Sequence, residues 1–232
     1  MSGTGAGDRA LLRLLCLASP ALPVGGFSYS EGLEAAVEAG EVRDEASARD
    51  WLLAQCRLGP CRAELPLTLQ AWRAWARQDA GALQALNTHA SLTRESAEFR
   101  LQGEQMAHSL LLWLRDAPLR DPALPALLGD AVPQLPLVWG LALHDSGADE
   151  RAGILAVAMA WTENQVQAAM KAVPLGQRAG QRLLQALCDA LADTIDELLA
   201  RADAPTPPTV FTPMLAVLSA RHEHQYSRLF RS

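Results

Sequence analysis

Leucine and alanine recur every three or four residues along almost the whole chain, while β-branched residues are sparse and isoleucine occurs only at positions 154 and 195. Leu183, Leu187 and Leu191 form one such stripe. This period is that of an α-helix with one apolar face, and Leu and Ala favour helices intrinsically. No stretch shows the strict alternation of a half-buried strand. We therefore expect an all-α fold, a single-domain helical bundle of about ten helices.

Prolines and glycines divide this pattern. We expect Asp8 to cap the first helix and Asp149 to begin a strongly apolar helix, while Gly59-Pro60 should end another helix. The proline-rich stretch 116–136 is predicted to be a loop with a short helical turn. The sequence APTPPT at 204–209 cannot be helical and is expected to be extended. We predict a disordered N-terminus over 1–7, a helical domain over 8–203, and a proline-rich hinge with a C-terminal partner-binding tail over 204–232.

Charge and cysteine content exclude several classes of protein. The net charge of -6 argues against a nucleic-acid-binding protein, which usually has a basic face. No apolar run is long enough to cross a membrane. The four cysteines at positions 16, 56, 61 and 188 form no Cys-x-x-Cys pair, and residues 1–7 do not read as a signal peptide. We expect a cytoplasmic protein with reduced thiols.

Catalytic and cofactor motifs are absent. The chain has no GxxxxGK[ST] phosphate loop, no HExxH and no GxSxG. We therefore expect no GTP hydrolysis, no cofactor and no enzymatic activity, although a small helical enzyme with an unrecognised site stays an alternative. His222 and His224 would face one side of an extended segment, but two ligands on a mobile tail make a weak metal site. We predict a solvated tail and no metal.

Lys171 is the only lysine among 20 basic residues. An ammonium group is a compact donor and a guanidinium is a planar fork, so a lone lysine can mark a contact that arginine does not fit. The alternative is a surface lysine kept by chance. Glu34 is a plausible ion-pair partner, because it lies in an otherwise apolar helical face beside Leu33 and Val37.

The C-terminal tail combines aromatic and arginine side chains. Tyr226, Leu229 and Phe230 lie among arginines, beyond the proline-rich hinge. This composition is typical of interface anchors. We expect the tail to be mobile in the free chain and ordered by a partner, and the alternative is a tail that folds back on its own core.

Three segments carry a resemblance to a known family. Ser19–Glu34 reads SPALPVGGFSYSEGLE, Lys171–Leu184 reads KAVPLGQRAGQRLL, and Arg221–Ser232 reads RHEHQYSRLFRS. In this order and at these separations they resemble the signatures of the UreF family of urease accessory proteins, over nearly the whole chain. The segment Ser91–Met106 fits more loosely.

The resemblance implies an all-α fold, a symmetric homodimer and a complex with the accessory protein UreD (UreH in some organisms) and the GTPase UreG. That complex docks on apo-urease and helps deliver nickel, and UreF bridges and modulates its partners. Glu34 and Lys171 would lie on a face toward the GTPase, and the tail would serve partner interfaces. Glu31 replaces the more usual His or Gln. The predicted partner-binding residues are Glu34, Lys171, Arg221, Gln225, Tyr226, Arg228, Leu229 and Phe230.

Overall fold

The computed structural model describes residues 4–116 and 123–232, and within them the regular structure is entirely helical. The all-α prediction is confirmed. The α-helices are α1 (Thr4–Ala18), α2 (Leu33–Glu38), α3 (Glu45–Leu58), α4 (Leu65–Ala76), α5 (Ala80–Leu92), α6 (Ala97–Asp116), α7 (Leu135–Ser146), α8 (Glu150–Ala172), α9 (Gln177–Ala202) and α10 (Pro213–His222). Short 3₁₀ turns occupy Gly26–Ser28 and Leu124–Leu128, and a π-helical turn occupies Pro60–Glu64.

Capping side chains set several helix starts. The carboxylate of Asp149 accepts a hydrogen bond from the amide of Ala152 at 2.9 Å, so α8 begins where the sequence predicts. At α3, Asp44 and Ser47 form a reciprocal capping box. These caps satisfy amides that have no partner inside the helix.

The helices enclose a continuous apolar core in which α4 and α7 make the most extensive contact. Trp75 of α4 is fully buried, and its indole Nε1 donates to the carbonyl of Leu137 on α7 at 2.8 Å. Gly140 lets the two backbones approach closely, since a Cβ there would lie 2.7 Å from the amide nitrogen of Trp72. Helices α8 and α9 pack against each other and close the core. No helix of the described residues combines the length and apolar character that crossing a membrane requires.

One local expectation differs from the structure, and another is met within the described residues. Helix α1 begins at Thr4 and not at Asp8, so the predicted disorder of residues 1–7 is wrong for residues 4–7. No proline interrupts this stretch, and the helix extends through it. In the stretch 116–136, the short helical turn is present at Leu124–Leu128, while residues 117–122 lie outside the described part of the chain.

The largest difference concerns the segment 204–232. The proline-rich stretch has no helix, as predicted, but it does not decouple the tail from the body. His89 of α5 lies 3.0 Å through Nε2 from the carbonyl of Pro208, and Gln70 of α4 donates to the carbonyl of Ala204 at 3.3 Å. Beyond this stretch, α10 packs against α2 and α6. The tail therefore folds back on its own helices, which corrects the expectation of a mobile segment.

Candidate partner-binding surface

The carboxylate of Glu34 holds the end of the chain in place. Glu34 lies in the first turn of α2 with only 7% of its surface exposed. Its Oε1 accepts from the amide of Leu229 at 2.7 Å, and its Oε2 accepts from the amide of Phe230 at 3.0 Å. A buried carboxylate needs such donors, because removing its charge from water is otherwise costly. Glu34 is therefore a structural anchor for the tail.

His222, the last residue of α10, forms a second link. Its ring is fully buried, with Nε2 at 3.1 Å from Oε2 of Glu34 and Nδ1 at 3.0 Å from Oε2 of Glu98 on α6. Each ring nitrogen thus lies within hydrogen-bond distance of a carboxylate oxygen. Arg228 adds a contact to Oε1 of Glu98 at 3.2 Å. These four side chains join α2, α6 and the tail.

The final residues run beside the loop that precedes α2. The carbonyl oxygen of Ser232 accepts from the amide of Ser30 at 2.7 Å and from its hydroxyl at 2.6 Å. The amide of Arg231 donates to the carbonyl of Ser28 at 2.8 Å. The hydroxyl of Ser232 donates to the side-chain oxygen of Gln102 at 2.7 Å. Backbone and side-chain bonds thus fix the register of the last residues.

Lys171 does not pair with Glu34, so the ion pair suggested by the sequence is wrong. Its Nζ lies 5.8 Å from the ring centroids of both Phe27 and Phe230, a geometry that favours cation–π attraction. Phe230 separates the two predicted partners, because its amide binds Glu34 while its ring faces Lys171. The structure therefore places both Glu34 and Lys171 against the tail, the first at the amide of Phe230 and the second at its ring.

The predicted partner-binding residues divide into two groups. Glu34 and Phe230 are buried and hold the tail. Tyr226 is fully exposed and Leu229 is 72% exposed, and the ring of Phe27 is exposed as well. Arg221, Arg228 and Lys171 are also exposed, and Gln225 is partly buried. We call Phe27, Lys171, Tyr226, Arg228 and Leu229 the tail surface.

Sequence reasoning missed the residues that dock the tail. The expectation of solvated tail histidines is wrong for His222, which is buried between two acids, and holds for the exposed His224. Glu98, Ser30 and the terminal Ser232 carried no motif of their own. The only signal was their position, since Ser30 and Ser232 lie in the first and last of the three family-like segments and Glu98 lies in the looser segment Ser91–Met106. Among the described residues, no three His, Cys, Asp or Glu side chains come together as metal ligands would.

A small cavity of about 70 Å³ is lined in part by Glu31 and by Gln102, the residue that binds Ser232. The carboxylate of Glu31 accepts from Gln102 and from the indole of Trp161, each at 2.9 Å. Burial, followed by the charge of Glu64, raises the pKa of Glu31 to about 7. Glu64 itself pairs with Arg94. Gln102 also accepts a hydrogen bond from Ser232, so it links Glu31 to the tail.

Comparisons with known proteins agree on one family. The UreF family model matches residues 42–188. A protein of Methylibium petroleiphilum is 56% identical over 228 residues, which cover 97% of this chain and 95% of the relative. Proteins of Paracidovorax citrulli (50% over 226 residues, 96% and 89% of the two chains) and Cupriavidus metallidurans (47% over 225 residues, 96% and 97%) are also similar. Each of the three relatives is named urease accessory protein UreF.

Proposed function

This chain belongs to the UreF family of urease accessory proteins, and from that premise we propose that it acts as a scaffold without catalysis of its own. In this proposal it joins UreD (or UreH) and the GTPase UreG in the cytoplasm, regulates that GTPase, and takes part as a homodimer in inserting nickel into apo-urease. Nickel is the cargo of the complex. The proposal for these partners rests on the family resemblance, and the tail surface supplies its structural support.

The observation that carries the proposal is the way the docked tail displays side chains. Its backbone and Phe230 face inward, onto Glu34 and the core. Tyr226 and Leu229 then project outward with little cover from the chain itself. Aromatic, leucine and arginine side chains on a fixed backbone bind partners with a small loss of conformational entropy. A preorganised anchor set of this kind suits a protein partner.

We assign the two partners to different parts of the tail surface. Lys171 is a cation at the end of α8, held over two aromatic rings, and we assign its side of the surface to the GTPase. Tyr226, Leu229 and Arg228 lie further along the tail, and we assign them to UreD or UreH. The chain has no phosphate loop, so nucleotide chemistry in the complex belongs to UreG in this scheme.

Co-expression with tagged UreD and untagged UreG tests the proposal. The wild-type chain should co-purify with both proteins, whereas Tyr226→Ala/Leu229→Ala should lose at least about tenfold in affinity for UreD, as expected when two anchors are truncated. Leu12→Ala is the matched control, because Leu12 is 61% exposed on a different element, α1. If the double variant binds as well as the wild type, or if Leu12→Ala is equally defective, the tail surface is not the binding site.

A further inference from the structure

Two of the four cysteines lie in direct contact inside the protein. The sulfur of Cys56, in the last turn of α3, is 3.5 Å from the sulfur of Cys61, in the π-helical turn that follows. Cys56 is 1% exposed and Cys61 is 6% exposed, and both are free thiols. Neither thiol is used by the docked tail or by the tail surface. The pair is therefore available for a role of its own.

The break between α3 and α4 brings these sulfurs together. In a continuous α-helix, residues five apart point in different directions and do not meet. Here Gly59 leaves helical geometry at φ -99° and ψ -93°, and the π-helical turn then carries Cys61 back toward the end of α3. A second contact comes from α9, where the hydroxyl of Thr194 lies 3.9 Å from the sulfur of Cys61. The local backbone thus positions two thiols face to face.

The two thiols differ in acidity. The hydrogen bond from Cys56 lowers the pKa of Cys61, with a further contribution from Thr194, because both donors stabilise a thiolate. The contact with Cys61, together with burial, raises the pKa of Cys56. A low-pKa thiol beside a second thiol is the arrangement of a redox-active pair, in which one sulfur reacts and the other resolves.

We propose that Cys56 and Cys61 form a reversible dithiol site that closes to an intramolecular disulfide with hydrogen peroxide. The thiolate of Cys61 attacks one peroxide oxygen, the oxygen–oxygen bond breaks, and the products are a sulfenic acid and, after proton uptake, water. The sulfur of Cys56 then attacks the sulfur of that sulfenic acid and releases a second water. Both cysteines are oxidised by one electron each, and the peroxide is reduced by two.

A disulfide between Cys56 and Cys61 would restrain the π-helical turn Pro60–Glu64. The π-helical turn that carries Cys61 ends at Glu64, which pairs with Arg94 and raises the pKa of Glu31 in the cavity. A covalent bond to Cys56 would tie this turn to the end of α3. Oxidation would thereby fix the segment that supplies one wall of the Glu31 cavity.

Trypsin provides a direct test, because its cleavage sites separate the two cysteines. Cleavage after Arg49, Arg57 and Arg62 places Cys56 in peptide 50–57 and Cys61 in peptide 58–62. The full chain carrying Cys16→Ser/Cys188→Ser is treated with hydrogen peroxide, denatured in N-ethylmaleimide and digested without reductant. We expect one species whose mass is the sum of the two peptides less two hydrogen atoms. It should disappear on treatment with dithiothreitol, and the undigested chain should run as a monomer on a non-reducing gel.

Cys56→Ser in the same background is the matched control. It should yield no joined peptide and should leave Cys61 oxidised or alkylated alone. If this variant does not fold, the digest of the parent chain still decides the question. Recovery of both peptides separately alkylated after peroxide overturns the proposal, as does oxidation of Cys61 to sulfinic acid with Cys56 still alkylated. A joined peptide found only in a covalent dimer would overturn it as well, since the bond would then be intermolecular.

Discussion

The imidazole of His222 and the carboxylate of Glu34 lie 3.1 Å apart, although 188 positions separate them in the sequence. The same carboxylate binds the amides of Leu229 and Phe230. One buried acid on a short helix thus contacts three hydrogen-bonding groups of residues 222–232, two of them backbone amides that donate to it. The position of the tail surface depends on this acid.

Glu34→Gln should release the tail. The neutral amide keeps one acceptor oxygen but places an NH₂ group against a donor, so buried hydrogen bonds are lost at a cost of about 1–3 kcal/mol in the free energy of docking. Hydrogen exchange at the amides of Leu229 and Phe230 should accelerate by about tenfold or more. Glu38→Gln, at an exposed position of the same helix, is the control and should leave exchange unchanged. Equal exchange rates in the wild type and Glu34→Gln would contradict the anchoring role.

Gly140→Ala should destabilise the protein although alanine favours helices. A Cβ at position 140 would lie 2.7 Å from the amide nitrogen of Trp72 and 3.0 Å from the Cβ of Ala71, so α4 and α7 would have to separate. Overpacking of this kind costs about 1–3 kcal/mol, which exceeds the gain of up to about 1 kcal/mol in helix propensity. Urea unfolding should show a net loss of stability.

Gly5→Ala is the control for the urea unfolding of Gly140→Ala, because the added methyl group has room at position 5. Gly5 lies in α1, and a Cβ there would meet no atom within 4 Å. The substitution should be neutral or stabilising by up to about 1 kcal/mol. If both alanine variants change stability in the same direction, close packing at Gly140 is not the controlling factor.

Local signals in the sequence predicted the helices well. Apolar periodicity, the cap at Asp149 and the break at Gly59-Pro60 act over a few residues, and each is found in the structure. The start of α1 was misplaced because Asp8 is a good capping residue, and capping preference alone does not fix where a helix begins.

Long-range polar contacts could not be predicted in the same way. Glu34 was matched with Lys171 because it is an acid in an otherwise apolar helical face, but its actual hydrogen-bond partners are two backbone amides and a histidine. Backbone amides are present at every residue except proline, so the sequence does not distinguish the two that Glu34 binds. The tail was expected to be mobile because it lies beyond a proline-rich hinge. That argument omitted the hydrogen bonds that its backbone forms with α2 and the preceding loop.

Glu31 should make stability depend on pH. Its pKa is about 7 in the folded chain, against an ordinary value of 4.5. A carboxyl group whose pKa is raised by folding makes its full contribution to stability below its pKa in the unfolded chain. This contribution is lost as the pH rises through its pKa in the folded chain. Between pH 4.5 and 8, Glu31→Gln should therefore gain stability relative to the wild type, by up to about 3 kcal/mol. Thermal unfolding of both proteins across this range measures the difference.

Taking the difference between variant and wild type removes most contributions from other titrating groups. Glu41→Gln, at an exposed position, is the control and should show a difference that does not vary with pH. A flat difference for Glu31→Gln over the same range would mean that the Glu31 carboxylate is ionised at little cost in the folded chain.

Lys171→Ala should affect the partner GTPase more than it affects folding. The lysine is exposed, and its contacts to Phe27 and Phe230 contribute about 0.5–1 kcal/mol at such a site. The melting temperature should change by only a few degrees, while GTP hydrolysis by UreG in the assembled complex should change at least severalfold. Arg178→Ala, an exposed cation in α9, is the control. Joint loss of folding and partner binding in Lys171→Ala would instead make this residue structural.

Removal of residues 226–232 should lower the melting temperature, because the tail is part of the folded body. The deletion removes Phe230 from the core and takes two amide donors from Glu34. Burial of the phenyl ring contributes about 1.5–3 kcal/mol, part of which offsets the ordering of the segment. A net loss of about 1–3 kcal/mol corresponds to roughly 2–10 °C in a chain of this size. Tyr226→Ala/Leu229→Ala in the full-length chain is the control and should melt within about 0.5 kcal/mol of the wild type, since both side chains are exposed. A truncated chain that melts with the full-length protein would show that docking adds nothing to stability, as the sequence-based expectation of a mobile tail requires.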